Sequence, residues 1–66
     1  MTYVKKGLRS AGAADEQAEV DREIDDRHLT AAAESEHDGG RVNFVVKTDD
    51  PEFITWLVER GYEPRG

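Results

Sequence analysis

The sequence has no cysteine, which excludes disulfides, thiolate metal sites and a cysteine nucleophile. No apolar run approaches the roughly 20 residues that a helix needs to cross a bilayer. None follows Lys5 and Lys6 either, so neither a membrane span nor a secretory leader is expected. Aromatic residues are 8% of the chain, and Tyr3 is the only one before Phe44. Positive charge is also scarce: nine Lys plus Arg stand against fifteen Asp plus Glu, for a net charge of −6. At 66 residues the chain is one small domain, and a large enzyme with a deep pocket is not expected. These absences together point to a cytoplasmic setting.

What is present is unevenly placed. The segment 42–62 holds Val42, Phe44, Val45, Val46, Phe53, Ile54, Trp56, Leu57, Val58 and Tyr62. Before it, apart from Met1 and the alanines, lie only Tyr3, Val4, Leu8, Val20, Ile24 and Leu29. A core this small is marginal without a staple or a partner, so a homodimer or folding on another chain is an open outcome. The charge is segregated too. Residues 1–12 carry +3, residues 13–38 carry −8 and residues 39–66 carry −1. Residues 1–12, with Gly7 and Gly12, read as a basic, flexible arm, and 13–66 as a single small α+β domain.

The C-terminal signals are the clearest. Asp50 suits an N-cap, Pro51 the first helical position, and Glu52 the first turn. Phe53, Ile54, Leu57 and Val58 form one apolar stripe, and Gly61 fits the left-handed position that ends a helix. A helix over 51–60 is expected. The run 42–47 is β-branched and aromatic, with Val42, Phe44 and Val46 on one face, and reads as a strand packed on that helix. Its partner is either 28–34, returning through 35–40 as a hairpin, or Thr2–Lys5, or the same strand of a second chain. Residues 13–27, rich in Ala and Glu, read as an acidic helix with Val20 and Ile24 inward. Because alanine favours helix, 28–34 is open to either reading, a strand or a continuation of this helix to Ser35 with Gly39-Gly40 as its stop. The expected fold is thus α+β: an acidic helix, a short antiparallel sheet or hairpin around 42–47, and a C-terminal helix packed on it.

No motif for catalysis emerges. His28 and His37, near Glu34, Glu36 and Asp38, match no metal-ligand spacing, so neither metal nor cofactor is expected. The pairs Asp15-Glu16, Asp25-Asp26 and Asp49-Asp50 lie in polar stretches, where nothing separates their ionisation as acid–base chemistry requires. Ser10 and Ser35 lack an oxyanion-forming context, and Gly39-Gly40 reads as a turn rather than a phosphate loop. The stretch Tyr3-Val4-Lys5-Lys6-Gly7 ahead of an Ala/Glu-rich helix is similar to the start of some phage single-stranded-DNA-binding proteins. That likeness covers about the first third of the chain, and the oligonucleotide-binding barrel it implies does not fit in the remainder.

The acidic segment points to binding. Asp15, Glu16, Glu19, Asp21, Glu23, Asp25 and Asp26 spread round a helix, where they can imitate a phosphate array and occupy a basic groove on another protein. Trp56 and Tyr62 are candidate apolar contacts for the same partner. The expectation is a non-enzymatic protein-binding module, an inhibitor or adaptor of phage or mobile-element type, such as an anti-CRISPR or other DNA mimic. The alternatives are an accessory subunit of a larger assembly and a nucleic-acid binder using Lys5, Lys6 and Arg9. The −8 segment makes direct nucleic-acid binding the weaker option. A salt-adapted surface would share this composition without any partner.

Overall fold

Gly39 and Gly40 both have positive φ, 56° and 85°, which a two-residue type I′ hairpin turn demands. The computed structural model describes residues 1–65, and in it these glycines join β2 (Ala32–Asp38) to β3 (Arg41–Lys47). The strands pair antiparallel over their full length, from Ala32 opposite Lys47 to Asp38 opposite Arg41. The expected hairpin therefore exists, with its boundaries moved. The returning strand is 32–38 rather than 28–34, and Ser35–Asp38 belong to the strand, not to the loop. One side of an edge strand faces water, so a polar run is tolerated there.

β1 (Thr2–Leu8) is the larger difference from the sequence reading. It lies inside the sheet, antiparallel to β3 on one side and to β4 (Glu63–Arg65) on the other. The residues expected to form an arm are a central strand. Tyr3 and Val4 are both buried, one on each face of the sheet, as a central position requires. The pairing skips one residue between Lys5 and Leu8, and the Gly7 N–H at this bulge donates to Asn43 Oδ1 at 3.1 Å. Both strand partners considered for 42–47 within the chain are thus used.

The element order is completed by α1 (Ser10–Asp26) after β1 and α2 (Pro51–Glu59) after β3. With sheet order β2-β3-β1-β4, this is the split β-α-β-β-α-β topology, an α+β fold. Tyr3, Phe44 and Val46 share one sheet face and pack with Val20 of α1, Phe53 and Leu57 of α2, and Tyr62. Both helices therefore cover the same face. The other face, with Val4 and Val45 at its centre, carries no helix.

The helix ends follow from local chemistry. Asp50 Oδ1 accepts from the Phe53 N–H at 2.8 Å, with Pro51 next to it, as the sequence implies. Gly61, at φ 95°, donates to Val58 O, and Tyr62 N donates to Leu57 O, which completes a Schellman end. α1 ends the same way without glycine. His28 takes φ 55°, its N–H donates to Asp25 O, and Leu29 N donates to Ile24 O.

Candidate functional site

α1 is 17 residues long, about 25 Å, and lies on the sheet by Ala13, Val20 and the half-buried Ile24. The seven acids expected to meet a partner do not form one surface. Glu16 is on the buried side, 6% exposed. Glu23 is held by Arg27, Nε to Oε2 at 2.7 Å, and Glu19 lies 3.6 Å from Arg60. Asp15, Asp21, Asp25 and Asp26 are exposed, and among the described residues none has a cation within 4 Å. The helix thus offers four unpaired carboxylates, interrupted on the surface by Arg22.

Glu16 anchors a buried polar cluster that links α1 to the end of α2. Arg60 donates to it through Nη2 at 2.7 Å and Nε at 3.3 Å, and Tyr62 Oη donates at 2.7 Å. Lys5 Nζ stands 3.9 Å away, above the Tyr62 ring. Burial pushes the Glu16 carboxyl up, but the hydrogen bonds from Arg60 and Tyr62, with the charges of Arg60 and Lys5, outweigh it and hold it below its ordinary value. Burial and the Glu16 carboxylate push the Tyr62 hydroxyl well above its ordinary value. Among the described residues no buried side-chain polar atom lacks a partner. This arrangement ties elements together, and it places Glu16 and Tyr62, both expected at an interface, inside the molecule.

Trp56 is half-buried. Phe53 stacks on it at 5.5 Å between centroids, and the Arg60 guanidinium lies 4.8 Å from its ring. Its two neighbours cover much of the ring, so it closes the core edge more than it projects. Val58, on the same helix, is the exposed large apolar residue there.

The helix-free face of the sheet has its own arrangement. Arg65 of β4 reaches across to Glu36 of β2, its Nη1 3.0 Å from both carboxylate oxygens. Beneath lie Val45, 1% exposed, and Val4, 4% exposed. Shallow depressions of about 360 and 410 Å³ flank this pair. Glu34, Glu36 and Asp38 alternate on this side of β2, a pattern of period two that the sequence holds but that means something only once 32–38 is a strand.

Among the described residues no group of three or more His, Cys, Asp or Glu side chains is placed to hold a metal ion, and no helix is long and apolar enough to cross a membrane. Comparison of the chain with protein-family models, curated proteins and solved structures finds no match.

Proposed function

We propose that the protein is a non-enzymatic binding module that engages a basic surface of another protein through the outer side of α1. The observation that supports this reading is the set of unpaired carboxylates Asp15, Asp21, Asp25 and Asp26. They span about 17 Å of helix axis at 1.5 Å per residue. One DNA strand carries roughly five phosphates over that length and a duplex about ten. With Arg22 among them the four carboxylates leave a net charge of −3, somewhat over half that of a single strand and well short of a duplex. A basic groove that holds one strand of nucleic acid is the partner surface it fits best. By occupying such a groove in the cytoplasm the protein acts as an inhibitor or adaptor of a nucleic-acid-handling complex.

The test is capture from the native host lysate on immobilised protein, with a competing single-stranded oligonucleotide. The expected result is capture of a nucleic-acid-binding protein that is released by high salt and by the oligonucleotide. Replacing Asp15, Asp21, Asp25 and Asp26 by Asn together abolishes capture while the fold persists. Capture that survives high salt, or that the Asn variant retains, overturns the reading.

A further inference from the structure

The edge of the sheet at β2 is open. All seven of its residues pair with β3, and nothing pairs with its other side among the described residues. The opposite edge is the three-residue β4. An unpaired edge of this length is a template for an added strand.

The two faces of β2 differ. Ala33, Ser35 and His37 face the helix layer, opposite Val46, Phe44 and Val42. Between them and α1 runs a groove of about 190 Å³, lined by Ala13, Ala14, Gln17, Ser35, His37 and Val42. Ala13 and Ala14 on the helix bank and Ser35 on the strand bank are short, which leaves room for alternate side chains of a strand laid along β2. The other face carries Glu34, Glu36 and Asp38. Arg65 holds Glu36, while Glu34 and Asp38 have no cation within 4 Å among the described residues. Asp21 lies one turn beyond Gln17 on the helix bank.

This charge pattern selects the occupant. A second copy paired antiparallel about Ser35 sets Glu34 against Glu36 twice, and centring on Glu34 or Glu36 sets each against itself. Like charges directly opposite are destabilising, so the registers that pair β2 with itself about its centre are disfavoured. A strand with cations at those positions gains cross-strand pairs instead.

We propose that β2 and the α1–β2 groove accept an extended segment of a partner protein. The segment is basic at the residues opposite Glu34 and Asp38, and small and aliphatic at the alternate residues that enter the groove. This rests on the reading of the protein as a module for a basic partner, and names how part of that partner is held.

The probe is a capped peptide of alternating arginine and valine, matched in length to β2, with a peptide of the same composition in two blocks as control. Amide NMR spectra and hydrogen exchange are followed on titration. The alternating peptide is expected to shift the β2 amides and slow the exchange of those on its open side, with the block peptide at least about tenfold weaker. Ala14→Trp fills the groove from an exposed helix position and is expected to weaken the alternating peptide about tenfold with the melting temperature unchanged. Glu59→Gln, an exposed position on α2 that does not line the groove, leaves its affinity within about twofold. Shifts confined to α1 around Asp15 and Asp26, with β2 unprotected, overturn the edge proposal and leave the acidic-helix reading standing. Equal binding of both peptides, or indifference to Ala14→Trp, also overturns it. No shift anywhere at low salt overturns both.

Discussion

Tyr62 donates its hydroxyl hydrogen to Glu16 across 46 positions of sequence, at 2.7 Å and within the protein interior. Glu16 Oε2 also accepts from Arg60, so the carboxylate is fixed by the C-cap residue of α2 and by Tyr62 two positions beyond it. Tyr62→Phe keeps the ring and removes this donor from a buried charge. The expected loss is about 1–3 kcal/mol, read as a lower urea midpoint with unchanged slope. An unchanged midpoint would show that the bond contributes nothing net.

The same pair sets the pH dependence. In the folded protein the Glu16 carboxyl ionises below its ordinary value of 4.5, so its contribution is complete above pH 4.5 and is lost as pH falls through the folded value. Tyr62 ionises above its ordinary value of 10.0 when folded, so its contribution is complete below pH 10.0 and is lost as pH rises toward the folded value. Glu16→Gln should flatten the acid limb of the stability curve, and Tyr62→Phe the alkaline limb. Denaturant titrations across pH check both slopes, and parallel curves for variant and parent would contradict the assignment.

His28 occupies the left-handed position that ends α1, where Gly61 stands at the end of α2. A side chain there is strained by roughly 1–2 kcal/mol, part of which glycine returns as entropy of the unfolded chain. His28→Gly should therefore stabilise by about 0.5–1 kcal/mol, seen as a rise of several degrees in melting temperature. His28 is exposed, so no packing is lost. A fall in melting temperature would mean that the imidazole makes a contribution of its own.

Asp50 caps α2, and its own N–H is taken by Thr48 Oγ1 at 3.2 Å. Asp50→Ala leaves the Phe53 N–H without its acceptor and should cost about 0.5–2 kcal/mol, whereas Asp50→Asn should cost less. Thermal unfolding of the two variants side by side measures the difference. Equal losses would assign the effect to charge rather than to the cap.

The α2 region was legible in the sequence because each of its signals is local: Asp50, Pro51 and Gly61 lie within the element or next to it. β1 was not. Lys5, Lys6 and Gly7 give residues 2–8 a polar appearance, and only pairing with strands far along the chain makes Tyr3 and Val4 core residues. β2 was expected as a hairpin partner but placed at 28–34, four residues early. Alanine favours helix and an edge strand need not alternate apolar with polar, so no local signal marks its bounds. The acids of α1 were visible as a charge run. That Glu16 turns inward while Asp15 and Asp25 remain outside depends on Arg60 and Tyr62, which no local pattern connects to it.

The strand order β2-β3-β1-β4 interleaves the two halves of the chain. A cut at Gly39–Gly40 leaves β1 and β2 on one fragment and β3 and β4 on the other, and neither fragment holds two neighbouring strands. Each half is thus half of a zip, with every tooth facing the other piece. Separated, the halves have no sheet to form; mixed, they carry everything needed to rebuild it. The protein is in this sense a complementation pair joined by a two-glycine hinge.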